Sequence, residues 1–267
     1  VCRDIPCDGD GLQVEKVPAL IESLRAEGKK VKFLYTIVNF QNPGGMTMGV
    51  EKRKKLAAIA EEYDIGIFED DPYGYVRYEG DHLPSIFSFD KVGNVLYAGS
   101  FSKILAPGTR TGWVIGDPAI VRKMCVFKQS TDLCSSSVDQ ALIAEYCQKG
   151  HLVRHLPKII DNYRRRRDSM EESMKRHLAP LGVTWVKPQG GFFYWINVPG
   201  VNTDELMKRA LDKKVAFIQG SAFAVEPGAC TNNARLNYTY CSPEVIEEGI
   251  ARIAAAIQEM KAEAEGI

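Results

Sequence analysis

The sequence predicts an α/β fold: a mostly parallel sheet covered by helices, followed by a smaller α+β domain. Over the first half of the chain, strand-like apolar runs alternate with helical periodicity through short connections, as in parallel sheets. Three polar clusters each follow a predicted strand directly, at the strand ends where such sheets bind ligands. Later in the chain, short strands alternate with helices after a long helical stretch. We therefore predict domains at residues 1–160 and 161–267.

Four strands and one helix are predicted in the first domain. A β-branched and aromatic run covers 31–38 and stops at the turn-rich segment 39–45, which indicates a strand with its exit loop. Apolar residues recur at helical spacing over 50–63, which predicts a helix. The remaining strands are predicted at 64–68, 94–98 and 110–116.

The second domain is predicted from a similar alternation. A helical pattern from Ser137 to Leu178, with Gly150 and Pro157 expected to break it, is predicted to connect the first domain to the second. A further helix is predicted over Thr203–Leu211, with Thr203 as its N-cap. The other predicted elements are strands at 184–185, 191–198 and 234–240 and a terminal helix at 243–265.

The opening of the sequence predicts a chain that is part of a longer protein. The first residue is Val1 rather than methionine, and residues 1–6 have the composition of a strand. We therefore expect the chain to be truncated at its N-terminus.

Composition favours small-molecule chemistry over a role on nucleic acid or membranes. Lysine plus arginine number 34 and aspartate plus glutamate also number 34, so no net field attracts polyanions. The run Arg164–Arg167 has acidic residues three and four positions away, which predicts a salt-bridged helix face. No apolar stretch approaches the roughly 20 residues of a membrane-spanning helix. Seven cysteines without a Cys-x-x-Cys pair predict a reducing, cytoplasmic location and no metal site.

The segment after the third strand has the residues to hold a phosphate beside a reactive amine. Lys103 is preceded by Ser100 and Ser102 and followed seven residues later by an arginine, and hydroxyls with a guanidinium bind phosphate well. A pyridine aldehyde phosphate would also need a carboxylate for its ring nitrogen, for which Asp70 is placed, and donors for its phenolic oxygen, which Tyr73 and Asn42 could supply. The predicted phosphate ligands are Ser100, Ser102 and Arg110. Taken singly, each of these residues is more often part of a turn, a solvated strand end or the surface.

Taken in order, these motifs resemble those of the class I aminotransferases of fold type I, which depend on pyridoxal 5'-phosphate. The segment Phe40–Gly45 is most similar to the branch of aminoadipate, kynurenine and aromatic aminotransferases. The motifs that carry the resemblance cover nearly the whole chain: Asn42-Pro43, Asp70-x-x-Tyr73, Ser100-Phe101-Ser102-Lys103 with Arg110, Pro188 to Trp195, and Arg235-Leu236-Asn237-Tyr238.

The resemblance implies a role for each of these residues. Lys103 would bond to the cofactor's aldehyde and then shuttle the proton of the substrate's α-carbon. Asp70 would pair with the pyridinium, and Tyr73 and Asn42 with the phenolic oxygen. Arg235 would bind the α-carboxylate of the substrate, with Asn42 beside it, and Phe223 is expected to line the pocket. The implied large domain covers 1–160, the small domain 161–267, and the full-length form is a homodimer.

The implied activity is transfer of an amino group from an aminoadipate-type or aromatic amino acid to a 2-oxo acid such as 2-oxoglutarate. Relatives of this kind carry a further N-terminal part with the phosphate loop and the aromatic residue that stacks on the cofactor ring. Three alternatives stay open at this point: an aminotransferase-like sensor domain of a winged-helix transcription regulator, a lyase or synthase with the same cofactor, and a catalytically inert fragment.

Overall fold

The computed structural model describes residues 1–266 and groups the chain into two units. The parallel-sheet unit comprises Ile5–Asn39 and Met46–Ile160, and the C-terminal unit comprises Val1–Asp4, Phe40–Gly45 and Asp161–Ile267. The domains predicted from the sequence, 1–160 and 161–267, place Phe40–Gly45 in the first domain. In the structure this segment groups with the C-terminal unit. The two units are described in turn.

The parallel-sheet unit begins with a two-stranded antiparallel hairpin and continues as strands that alternate with helices. Its elements are β1 (Cys7–Asp8), β2 (Gly11–Leu12), α1 (Val17–Ala26), β3 (Phe33–Ile37), α2 (Val50–Tyr63), β4 (Gly66–Asp70), β5 (Val95–Ser100), β6 (Gly112–Ile115), α3 (Pro118–Thr131), α4 (Ser137–Gln148) and the start of α5 (His151–His177).

Four strands form the main sheet in the order β3-β4-β5-β6. The first three pair in parallel, as the sequence predicts, with Ile37 opposite Asp70 and Asp70 opposite Ala98. The fourth strand, β6, runs antiparallel to β5, with Ser100 opposite Gly112. The connection from β5 to β6 contains only turns and one short 3-10 helix, whereas a parallel connection needs a crossover of a dozen or more residues. The predicted sheet is therefore parallel in three of its four strands.

One face of this sheet builds the core of the unit with α1 and α2. Along β4, Ile67 and Glu69 are buried on that face, while Phe68 and Asp70 point to the other. Helix α1 was absent from the sequence prediction. Members of the core include Val17, Ile21, Leu34, Val38, Leu56, Ile59, Ala60, Ile65, Ile67 and Val95.

Two sequence expectations for residues 1–160 are wrong. Residues 1–6 form no strand. Gly150 does separate α4 from α5, with a left-handed φ of 68°, but Pro157 lies inside α5. The proline removes one N–H, whose partner would be the carbonyl of Val153. Val153 is exposed, so water can serve that carbonyl and the helix continues.

The C-terminal unit packs α5 and two later helices with an antiparallel sheet in the order β7-β8-β10-β9. The strand predicted at 184–185 is found with those bounds, whereas the strands predicted at 191–198 and 234–240 are shorter and form the two central strands of this sheet. Its elements after α5 are β7 (Thr184–Trp185), β8 (Phe193–Asn197), α6 (Thr203–Asp212), β9 (Ile218–Gln219), β10 (Asn233–Asn237) and α7 (Pro243–Glu265).

The N-cap of α6 is Asn202 rather than the predicted Thr203. The side chain of Asn202 accepts hydrogen bonds from the backbone N–H groups of Asp204 and Glu205. Thr203 is buried, and its hydroxyl donates to the carbonyl oxygens of Thr231 and Asn233 instead.

The arginine run forms salt bridges, as the sequence predicts, but its members differ in exposure. Arg165 pairs with Asp161 at 3.0 Å in an exposed setting. Arg167 is 1% exposed, donates to the carbonyl of Pro188 and contacts Asp168. Arg167 is therefore ion-paired as predicted, but it is buried in the C-terminal unit. Within residues 1–266, every helix is too short or too polar to cross a membrane.

Candidate active site

The polar residues of the parallel-sheet unit meet at one edge of its sheet. Asp70 ends β4 and Ser100 ends β5, and both strands run in the same direction. Because Ser100 lies opposite Gly112 on antiparallel β6, Arg110 precedes β6 at this same edge. This edge is where ligands bind in α/β sheets.

Asp70 is held by a residue that the sequence analysis did not single out. The hydroxyl of Tyr35 donates to Oδ2 of Asp70 at 2.7 Å. Burial raises the pKa of Asp70; the Tyr35 hydrogen bond lowers it, and the nearby charge of Asp71 raises it further. Asp70 is thus a half-buried carboxylate whose charge a cationic partner would stabilise.

The loop after β4 carries Tyr73 and is fixed by Asp71. Tyr73 is buried. Asp71 accepts hydrogen bonds from Asn39 Nδ2 at 3.0 Å and from the Tyr97 hydroxyl at 3.2 Å. A Cβ at Gly74 would lie 2.4 Å from Asp71 Oδ2, so only glycine allows this carboxylate to sit against the loop.

The segment after β5 forms a tight polar turn around Lys103. The backbone N–H of Ser102 donates to Ser100 Oγ at 3.0 Å. The carbonyl of Phe101 accepts from the backbone N–H groups of Ile104, Leu105 and Ala106. Lys103 is half-buried in this turn. Arg110 has a left-handed φ of 47°, a conformation that costs a non-glycine residue energy and is common at functional sites.

The C-terminal unit contributes a second group, centred on Arg235 in β10. Its Nη1 donates to Asn42 Oδ1 at 2.6 Å. The guanidinium carbon lies 4.1 Å from the ring centroid of Phe193 and 4.9 Å from that of Phe223. The two rings restrict the guanidinium to one plane, and the bond to Asn42 fixes its direction.

Two glycines allow the backbone around Asn42 to lie close to the start of β8, next to this second group. Gly191 has a φ of 71°, and a Cβ there would lie 2.5 Å from Phe40 Cβ. Gly45 has a φ of 74°, and its Cβ would lie 3.1 Å from the carbonyl oxygen of Phe193. The glycines on either side therefore let the Asn42 segment lie against the start of β8.

Each unit thus gathers part of the predicted set. The parallel-sheet unit brings five of the predicted residues to one sheet edge and buries Tyr73 in the adjoining loop, while the C-terminal unit joins Asn42 to Arg235. Tyr35 and Phe193 complete these groups and were missed as functional residues, although Phe193 lies inside a quoted motif. The five residues at the sheet edge are Asp70, Ser100, Ser102, Lys103 and Arg110.

Comparison with known families agrees with these motifs. Residues 2–253 match the family described as aminotransferase class I and II. The chain belongs to this family. Its fold is the α/β fold of these aminotransferases, whose known cofactor is pyridoxal phosphate.

Individual relatives point the same way. The chain is 44% identical over 256 residues to aromatic-amino-acid aminotransferase 1 of Thermococcus litoralis, covering 96% of this chain and 61% of the relative. It resembles the crystal structure of kynurenine aminotransferase from Pyrococcus horikoshii in complex with PMP, with a TM-score of 0.92, 45% identity, and 96% and 63% coverage. It is also 35% identical to an uncharacterized HTH-type transcriptional regulator of Bacillus subtilis, covering 52% of that protein. The chain therefore spans about three fifths of the aminotransferase relatives it matches.

The residues of this aminotransferase-family chain fit the family's cofactor. A half-buried carboxylate suits a protonated ring nitrogen, and Asp70 provides one at the sheet edge. Two serines and an arginine at the same edge suit a phosphate. The lysine between them suits an aldehyde. The residues of the parallel-sheet unit that would hold the cofactor are Asp70, Tyr73, Ser100, Ser102, Lys103 and Arg110.

Proposed function

We propose that this chain binds pyridoxal 5'-phosphate and carries the active-site residues of an aminotransferase. The observation that carries the proposal is the convergence of Asp70 with the Ser100–Lys103 turn and Arg110 on one sheet edge. The proposed reaction moves an amino group from an aromatic or aminoadipate-type amino acid to a 2-oxo acid such as 2-oxoglutarate. The similarity to an aromatic-amino-acid and a kynurenine aminotransferase supports this substrate class.

The cofactor, when bound, supplies a ring that withdraws electrons from the substrate's α-carbon. Lys103 would hold the cofactor at its aldehyde and, as a free amine once the substrate has taken its place, would take the proton from that carbon. Asp70 keeps a proton on the ring nitrogen. Ser100, Ser102 and Arg110 bind the phosphate. Tyr73 donates to the phenolic oxygen.

Arg235 and Asn42 are proposed to bind the substrate's α-carboxylate. A guanidinium presents two parallel N–H groups that match a carboxylate. Since Asn42 Oδ1 accepts from Arg235, its Nδ2 group is left to donate to the substrate. Phe223, which also contacts Trp195 edge-on, gives the substrate-binding region an aromatic lining suited to an aromatic amino acid. We propose a homodimer in the cytoplasm as the working form, following the family resemblance and the cysteine content.

One other function has a specific observation in its favour. The similarity to a transcriptional regulator supports an aminotransferase-like sensor domain that binds the cofactor without turnover. The higher identity to an aminotransferase, 44% against 35%, favours the enzyme. The experiment below separates the two.

The proposal is tested by titrating the chain with pyridoxal 5'-phosphate, reducing with borohydride and mapping the labelled peptide. We expect a saturable absorbance band and label on Lys103. The variant Lys103→Ala should lose both, whereas Lys91→Ala, which removes an exposed lysine of the same unit, should keep both. Label scattered over surface lysines contradicts the proposal.

The same preparation then decides between enzyme and sensor. With an aromatic amino acid and 2-oxoglutarate, an enzyme forms glutamate over many turnovers. We expect Arg235→Lys to raise the KM for the amino acid while leaving the affinity for the cofactor unchanged. A chain that binds the cofactor and never turns over supports the sensor.

A further inference from the structure

The hydroxyl of Tyr35 has no part in the proposed function, yet it contacts Asp70 directly. The two residues lie on neighbouring parallel strands, Tyr35 in β3 and Asp70 at the end of β4. Their hydrogen bond of 2.7 Å is the one that reaches the Asp70 carboxylate within residues 1–266. It occupies Oδ2 and leaves Oδ1 for another partner.

The sheet register fixes this contact. Tyr35 lies opposite Phe68, and paired residues of neighbouring strands point to the same face. Asp70 is two residues beyond Phe68 and so shares that face. The Tyr35 and Phe68 rings stack with centroids 5.9 Å apart and an interplanar angle of 23°. The stack holds the tyrosine ring while its hydroxyl reaches diagonally to the carboxylate.

The neighbouring carboxylate is held in the same way from the other side. Asp71 accepts from the hydroxyl of Tyr97, a residue of β5, and from Asn39. Two tyrosines, one on each strand that flanks β4, therefore each donate a hydrogen bond to one of two consecutive carboxylates. Asp71 therefore has hydrogen-bond donors of its own, and the hydroxyl of Tyr35 donates to Asp70.

The hydrogen bond also acts on the charge of Asp70. Burial and the charge of Asp71 both raise the pKa of this carboxyl, and the Tyr35 hydroxyl opposes them. A donor on one oxygen stabilises the ionised form, which is the form that a protonated ring nitrogen needs.

We propose that Tyr35 is a positioning residue for the cofactor: its hydroxyl holds Asp70 by Oδ2 so that Oδ1 faces the pyridine nitrogen. This inference rests on the proposed function, because it assumes that pyridoxal 5'-phosphate binds at the edge of the main sheet. Tyr35 acts only through Asp70.

The test compares two matched losses of a hydroxyl. Tyr35→Phe removes the donor to Asp70 and keeps the ring on Phe68. Tyr97→Phe removes the donor to Asp71. Tyr35 is 52% exposed, so the phenylalanine leaves the core untouched and the variant should fold. The readouts are the dissociation constant of pyridoxal 5'-phosphate and the NMR chemical shift of its isotopically labelled ring nitrogen.

We expect Tyr35→Phe to raise the dissociation constant about 5- to 10-fold, the loss typical of one net hydrogen bond, and to move the nitrogen shift. Tyr97→Phe should change neither readout appreciably. Asp70→Asn should weaken binding more, and adding Tyr35→Phe to Asp70→Asn should have no further effect, because the tyrosine acts through that carboxylate.

The outcomes separate the two hypotheses. If Asp70→Asn weakens binding and Tyr35→Phe does not, or if the two losses simply add, the role of Tyr35 is wrong and the proposed function stands. If the wild-type chain shows no saturable binding, or Asp70→Asn binds as well as wild type, the cofactor site itself is wrong, and the inference falls with it.

Discussion

Arg53 in α2 ties the exit of β3 to the surrounding loops. Its side chain is fully buried, and burial lowers the pKa of the guanidinium. It donates to the carbonyl oxygens of Met48, Pro84 and Val38 and to Oδ1 of Asn39. Since Asn39 in turn donates to Asp71, this arginine supports the loop that carries Tyr73.

Replacement of Arg53 should therefore destabilise the chain strongly. Arg53→Met keeps much of the volume but removes one donor from each of four acceptors. The carbonyl of Val38 keeps the N–H of Met48, and Asn39 Oδ1 keeps the guanidinium of Arg77 at 3.4 Å. We expect a loss of about 3 kcal/mol in the free energy of unfolding, measured by urea denaturation. Lys55→Ala, an exposed change in the same helix, should stay within about 0.5 kcal/mol. A loss below about 1 kcal/mol for Arg53→Met contradicts this account of its role.

Single residues also show where the sequence suffices for prediction. Asp70 and Ser100 could be placed at strand ends because apolar runs stop just before them. Tyr35 could not be linked to Asp70, since the contact depends on strand register between residues 35 positions apart. Arg53 has the sequence neighbourhood of a solvated helix face, and only packing of the loops against α2 reveals that it is buried.

Between elements, Glu247 of α7 joins α7 to α5. Its carboxylate accepts a hydrogen bond from Ser173, pairs with His177 at 2.7 Å and with Arg176 at 2.5 Å. These groups, Ser173 first and then His177, lower the pKa of Glu247 from 4.5 to about 2. All of them belong to the C-terminal unit.

The pH dependence of stability should report this contact. A carboxyl whose pKa is lower in the folded state stabilises the fold above its unfolded pKa of 4.5 and loses that effect as pH falls to about 2. Glu247→Gln should therefore lower the melting temperature at pH 6, and the difference from wild type should shrink as pH falls through 4. Glu248→Gln, which removes the adjacent exposed pair with Arg252, should show little of this dependence. A difference that is constant with pH contradicts the assignment.

The sequence predicts whether a segment is a helix or a strand better than it predicts the direction of a strand or the residues at which an element begins and ends. The helical spacing of apolar residues is enough to predict α2, and the content of β-branched residues is enough to predict β3. The antiparallel course of β6 could not be predicted because it follows from how a short connection packs. Likewise, Pro157 stays inside α5 because its partner carbonyl faces water, which depends on exposure that composition does not report.

Across the whole molecule, burial is distributed unevenly between helices of equal length. Helices α2 and α3 each have 14 residues. Helix α2 buries five of them, whereas α3 buries none, and Val126 and Phe127 of α3 are 60% and 71% exposed. Helices of this length are marginal in water without tertiary packing.

Hydrogen exchange should reveal this difference. We expect backbone amides of α3 to exchange far faster than those of α2, because α3 can open without exposing buried apolar surface while α2 opens only with its core. Peptides covering 50–63 and 118–131 from one digest of the same exchange series serve as each other's control, followed by mass spectrometry. The measurement is made at several protein concentrations, since contact of the apolar residues of α3 with a second copy would slow its exchange as concentration rises. Equal protection of both helices at the lowest concentration contradicts the prediction, because a helix without buried residues would then be as stable as one in the core.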